Sequence, residues 1–209
     1  MARDSAATRA RILDAAEAEF SAYGIAGARV DRIAETAPAN KALIYKHFGS
    51  KDQLFDAVFA QRVLAFVDKV DFDPTDLPGY AGRAFDLYEA NPTTLRLTTW
   101  YQLERPTGRL DAIMSSNDAK LTAIKDAQDA GLLTADYSPL ELLTEVRALM
   151  MGWHLHTPEL AMVRQPSRAR RREVVVESVR RLVQGDQGRS GPEKSDEPVR
   201  RPTGVSDVS

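Results

Sequence analysis

Apolar residues recur at spacings of three and four along most of this chain, in short runs cut by glycine and proline. That rhythm constrains the fold more than any other feature. Ile12, Ala16, Phe20 and Tyr23 share one face of a first helix, which Gly24 is expected to stop. With Thr8 ahead of it, this opens a set of three short helices over residues 8–48. Val30, Ile33, Ala34 and Ala37 predict a short second helix, interrupted by Pro38. Asn40 is a good N-cap for a third, whose Ile44 and Phe48 share a face before Gly49-Ser50 ends it. Leu54, Phe55, Val58, Val63 and Phe66 predict a longer helix. Asp73-Pro74, Asn91-Pro92, Pro106-Thr107-Gly108, Gly131 and Ser138-Pro139 punctuate the remainder into further helices. The sequence shows no alternating strand and no Asn-Gly hairpin. The fold class is therefore all-α.

Composition narrows the chemistry. The 209 residues include no cysteine, which excludes disulfides, thiolate metal sites and a cysteine nucleophile. The three histidines are His47, His154 and His156. On a helix, the spacing of His154 and His156 sets their side chains about 200° apart, a poor arrangement for one ion. Glycine-rich phosphate loops and Gly-x-Ser-x-Gly motifs are absent from the sequence. No enzyme activity, cofactor or metal is expected. The net charge is −2, so a nucleic-acid partner would need a local basic patch. Residues 1–51 supply one, with eight basic and six acidic side chains. No apolar stretch reaches the ~20 residues of a membrane span, and no secretory signal is visible, so a cytoplasmic location is expected. The expected division is a helix-turn-helix domain at 1–51, a larger helical domain at 52–185, and a Gly-, Pro- and charge-rich disordered tail at 186–209.

The link between the second and third helices is three or four residues, which is helix-turn-helix spacing. On a wheel of the third helix, Ile44 and Phe48 point into the small core. Ala42 and Lys46 point away, with Leu43 beside them and Tyr45 and His47 on the two shoulders. Such a crest suits base edges in a major groove, and the shoulders suit its phosphate walls. Lys51 follows at the next helix start, where backbone N–H groups also favour a phosphate. A basic, solvated helix face would present the same charges.

Residues Thr8 to Ala16, with Phe20 and Gly24, resemble the first helix of TetR-type transcriptional regulators. Val30-Asp31-Arg32-Ile33-Ala34 is similar to that family's second helix. Lys41-Ala42-Leu43-Ile44-Tyr45-Lys46-His47-Phe48, followed by Lys51-Asp52-Gln53-Leu54, is similar to its recognition helix and the entry to helix four. The resemblance is close over about residues 8–60. It implies phosphate contacts by Tyr45, His47 and Lys51, and groove positions for Asn40, Lys41, Ala42, Leu43 and Lys46. Two departures stand out. Ala28-Arg29 replaces the family's frequent threonine, and Arg29 is expected to take over the phosphate contact. Pro38-Ala39 replaces the usual Gly-Val of the turn. Proline cannot take a positive φ, so this turn is expected to differ in detail.

For residues 52–185 the resemblance implies a small-molecule effector site and the dimer contact. Phe85, Tyr88, Trp100, Tyr101, Met114, Met150, Met151 and Trp153 could line an apolar pocket or fill a plain core. Trp100, Met150 and Trp153 are singled out for a pocket, with Tyr101, Arg147 and His154 as its few polar groups. Arg147 is expected in a surface ion pair, unless burial gives it Glu104, Glu145 or an anionic ligand as partner. Val175, Val179 and Leu182, with Leu142, Val146, Leu149 and Trp153, form two apolar faces. These are expected to make a four-helix dimer contact or to pack internally. The run from Arg168 to Arg172 is expected to be a solvated face.

The combined expectation is a homodimeric, ligand-responsive repressor that binds an inverted-repeat operator in double-stranded DNA and is released by a mostly apolar small molecule. No membrane partner is expected. Two other readings fit the same residues: a DNA-binding regulator without a ligand, and a small helical enzyme with an incidental basic end.

Overall fold

The computed structural model describes residues 2–65, 69–105, 110–155 and 157–184. Phe66, Pro106-Thr107-Gly108, His156 and the tail from Gly185 lie outside them. Among the described residues there are helices and turns and no strand.

The first helix, α1, spans Ala2–Gly27, starting earlier than its apolar face predicts. Gly24 breaks it at φ 73° and ψ −177°, a conformation open essentially to glycine alone. A Cβ there would also stand 2.5 Å from Glu104 Oε1 and 3.0 Å from the Trp100 ring. The other short helices follow: α2 (Val30–Thr36), α3 (Lys41–Phe48) and α4 (Lys51–Phe59). The Asn40 and Ser50 side chains cap α3 and α4, accepting the Leu43 N–H at 2.7 Å and the Gln53 N–H at 3.1 Å. A π-type turn, Ala60–Leu64, continues α4.

Ile12, Phe20, Ile33, Ile44, Leu54 and Phe55 are fully buried together, so α3 is held through Ile44 and Phe48 as the periodicity requires. Tyr23 departs from that pattern. It is 52% exposed, with the Arg32 guanidinium 4.2 Å over its ring. Pro38 also departs from expectation. Its φ is 25°, so the turn does take the positive side that the ring disfavours, and its strain sits at this exposed residue.

The rest of the chain forms α5 (Leu77–Ala90), α6 (Pro92–Glu104), α7 (Asp111–Asp129), α8 (Pro139–Met151), the single-turn α9 (Pro158–Ala161) and α10 (Arg168–Gln184). Ser138 and Glu141 form a reciprocal capping box at α8. A second core joins Leu77, Ala81, Phe85, Ile124, Leu142, Val146, Val175 and Val179. Val175 and Val179 are thus spent inside the subunit, where α10 lies against α5, and they cannot also face a partner. The arginine run before them is likewise not a merely solvated face. Arg171 makes a two-pronged pair with Glu89 at 2.9 and 3.2 Å, and Arg168 and Arg172 both meet Asp86, so the run clamps α10 to α5.

Candidate nucleic-acid interface and effector cavity

Burial of Ile44 and Phe48 leaves the opposite face of α3 open. Ala42 and Lys46 are exposed one helical turn apart. Tyr45 is 44% exposed, Leu43 and His47 are half-buried, and Asn40 and Lys41 are exposed at the helix start. The helix thus presents a small residue, a cation and hydrogen-bonding side chains on a surface held rigidly from behind, the arrangement a major groove accepts.

Neighbouring charges qualify this face. Lys41 pairs with Asp31 at 2.5 Å, and that hydrogen bond holds its pKa above the usual lysine value. Lys51 donates to the carbonyls of Ala26 and Ala28, both at 3.2 Å, so in the free protein it braces the α1–α2 corner. An ammonium has three donors, which leaves one for a phosphate. The Arg29 side chain is exposed beside that corner, and its backbone N–H donates to Glu19 at 2.8 Å. Glu19 is buried and also accepts from Arg32 at 2.8 Å. Burial pushes the Glu19 pKa up, but the hydrogen bonds from Arg32 and Arg29 outweigh it and hold the carboxyl below its ordinary value. One basic residue escapes the periodicity argument. Arg9 on α1 lies 5.0 Å from the Phe48 ring centroid, against the end of α3.

Helix α6 joins this unit to the larger domain. Arg96 and Trp100 donate to the Ser21 carbonyl at 2.8 and 3.3 Å. Glu104 accepts the Ala26 N–H at 2.7 Å, and Arg105 pairs with Asp52 at 2.8 Å. The other side of α6 carries Thr98, Tyr101 and Gln102, which line a cavity of about 240 Å³.

That cavity lies between the end of α4 and helices α5 to α8. Its aromatic wall includes Phe59 and Tyr101, stacked at 4.4 Å, together with Tyr80 and Tyr88. Burial raises the pKa of Tyr80 and pushes that of Tyr88 up to about 12, so both stay neutral phenols at ordinary pH. Asn117, Lys120, Arg147 and Met150 also line the cavity. Of the six expected pocket residues, Tyr101, Arg147 and Met150 meet here. Trp100, Trp153 and His154 do not. Trp100 is held against α1 at a shallow cleft with Arg96 and Leu155. Trp153 lines a surface groove with Leu160 and Val163. Arg147 is not in a surface ion pair: it is half-buried and donates to Asn117 Oδ1 at 2.6 Å. His154 lies 3.5 Å from Glu89, beside the Phe85 ring. Tyr80, Ala84 and Tyr88 repeat every four residues on α5, a signal that was legible in the sequence but indistinguishable there from core. Among the described residues no group of acidic or histidine side chains could hold a metal ion, and no helix is long and apolar enough to cross a membrane.

Residues 12–58 match the model for bacterial regulatory proteins of the tetR family, and residues 76–181 match the tetracyclin repressor-like C-terminal domain. The chain is 40% identical over 165 residues to the HTH-type transcriptional repressor SCO4008 of Streptomyces coelicolor, covering 78% of this chain and 85% of that protein. The crystal structure of SCO4942, a candidate transcriptional regulator from the same species, has a TM-score of 0.76 and 38% identity, covering 84% of this chain and 98% of that one. A regulator from Saccharomonospora viridis, solved in complex with choline, shares the fold with a TM-score of 0.63 at 20% identity, over 84% of this chain and 96% of its own.

Proposed function

The chain belongs to the TetR family, which makes it a DNA-binding transcription factor and not an enzyme; from that premise we propose that it is a homodimeric repressor released from its operator by a small molecule. The observation that carries the reading is helix α3, pinned by Ile44 and Phe48 and open along Ala42, Tyr45 and Lys46. Lys46 and Ala42 meet base edges, with Asn40, Lys41 and Leu43 beside them. Tyr45, His47, Arg29 and the remaining donor of Lys51 meet phosphates. Residues 1–51 supply this contact, and 52–185 supply the effector site and the dimer.

The effector occupies the cavity of Tyr101, Arg147 and Met150, not the neighbourhood of the two tryptophans. Because α6 faces that cavity on one side and bonds α1 on the other, an occupant that displaces Tyr101 also moves the DNA-binding unit. Ligand releases operator only if it binds the non-fitting arrangement more tightly.

The dimer forms on apolar residues that one subunit leaves open. Leu155, Leu160, Met162 and Val163 are 48%, 55%, 87% and 60% exposed, next to the outer face of α8. The repressor sense rests on the relative from S. coelicolor. Selection of the full chain against a random duplex library tests the proposal. It should enrich an inverted repeat with half-sites about 34–36 Å apart or a multiple of that. Enrichment of no sequence, or of single half-sites only, would overturn the homodimeric operator reading.

A further inference from the structure

The charged side chains described at the effector cavity stand on α7 and α8. Among the described residues lining it, Lys120 and Arg147 are basic and none is a carboxylate. Both cations stand on the same side, where α7 meets α8. Lys120 is only 8% exposed, and its ammonium donates to Ser116 Oγ at 2.7 Å. Arg147 gives one donor to Asn117 Oδ1. A guanidinium carries five N–H donors in a planar fork, so most of its hydrogen-bonding capacity remains after Asn117 is served. The rings of Phe59, Tyr80, Tyr88 and Tyr101 line the same cavity, with Arg147 near enough to the Tyr80 and Tyr88 phenols to act on them.

Resting on the effector reading of this cavity, we propose that its ligand is a small amphipathic carboxylate. Its acid group is held by the Arg147 fork within reach of Lys120 and Asn117, and its ring or short chain lies on the tyrosine wall. Three arguments converge. A planar fork matches a carboxylate and turns charge into orientation. Arg147 is half-buried with donors to spare, and an incoming anion fills them with charge-assisted bonds, whereas a neutral ligand makes weaker ones. The cavity is smaller than the roughly 300–1,000 Å³ of drug-sized sites, which leaves room for one ring or a short chain. The competing chemistry is a cation on the aromatic faces. Like charge from Arg147 opposes it at short range.

Nine probes in three matched series test the proposal at neutral pH: benzoate, phenylacetate and octanoate; their three primary amides; and benzylamine, phenethylamine and octylamine. Binding to the full-length protein is read by calorimetry, and operator release by the same probes is read separately. The carboxylates should bind about tenfold or more tighter than their amides, with the amines weakest. Arg147→Met should abolish the preference of carboxylate over amide. Arg147→Lys keeps the charge without the fork, so it should weaken carboxylate binding yet leave the amines weakest, a readout that survives if the methionine variant fails to fold. Amides or amines that bind as tightly as the acids would overturn the proposal. So would an Arg147→Met protein with the preference intact, or no binding by any of the nine. Release of operator by an amine would overturn the charge assignment while leaving the ligand-responsive repressor standing.

Discussion

Glu104 accepts the Ala26 N–H at 2.7 Å, joining the last turn of α6 to the segment just beyond the Gly24 break in α1. The bond closes a short path. Tyr101, one turn earlier on α6, faces the cavity, and Trp100 beside it holds the Ser21 carbonyl. Small displacements at Tyr101 therefore reach α1 through these hydrogen-bonded contacts as well as through the Phe55 and Phe59 rings on which Tyr101 stacks.

Glu104→Ala removes the acceptor and leaves the cavity lining untouched. The melting temperature should fall by roughly 2–4 °C, for about 1 kcal/mol lost. Effector affinity should stay the same in the absence of DNA, while the effector's power to release operator falls. Coupling is reciprocal, so operator should then weaken effector binding less than it does in the parent. Unchanged coupling in both directions would place the link elsewhere.

Asp31 competes with DNA for Lys41. Asp31→Asn frees the ammonium and removes an anion beside the groove face. Operator affinity should rise at low salt, and the slope of log affinity against log salt should steepen by up to about one. A duplex titration at several salt concentrations measures both. Weaker binding by this variant would mean that the pair positions α3 and does not restrain it.

Glu19 gives the DNA-binding unit an acid limit. Its folded pKa lies below the ordinary carboxylate value, so its contribution is present above the unfolded pKa and is lost as the pH falls through the folded one. Glu19→Gln should lower stability at neutral pH and shrink the difference from the parent as the solution is acidified. Melting curves from neutral to strongly acidic pH check this. A difference that widens on acidification would contradict the sign.

Leu160→Asp with Met162→Asp places two charges on residues that are 55% and 87% exposed in one subunit. The double variant should keep its helical spectrum and scatter light as a monomer. Val179→Asp is a different experiment. Val179 is fully buried against α5, so that substitution should unfold the larger domain. A dimeric double variant would remove this surface from the interface.

The recognition helix was legible because α3 is short, capped and amphipathic. Ile44 and Phe48 fix its inward face, and the outward residues follow from 100° per residue. Asn40 was readable as a cap for the same local reason. What the sequence hid depends on distant partners. Nothing near Val179 says whether its neighbour is α5 or a second subunit, because apolar periodicity marks burial and not its owner. Trp100 and Trp153 carry the size expected of pocket residues, yet Gly24 and Ser21 draw one toward α1, and the other lines an outer groove. Arg147 read as a surface ion pair until α7 supplied Asn117. Pro38 shows the reverse case: a local rule against positive φ yields to a turn whose ends are fixed, with Ala39 N–H on Ala34 O at 3.0 Å.

The most direct test of α3 as the reading element is equilibrium binding of the full-length protein to the selected inverted repeat and to a scrambled duplex of equal length. Wild type, Tyr45→Phe and Lys46→Ala are compared in the same salt series. The account predicts that wild type prefers the repeat by about a thousandfold or more. Tyr45→Phe should lose about 0.5–2 kcal/mol on both duplexes alike, as a phosphate contact does. Lys46→Ala should lose more on the repeat than on the scrambled duplex and so narrow the ratio. Equal binding of both duplexes by wild type, or parental binding of the repeat by both variants, would contradict it.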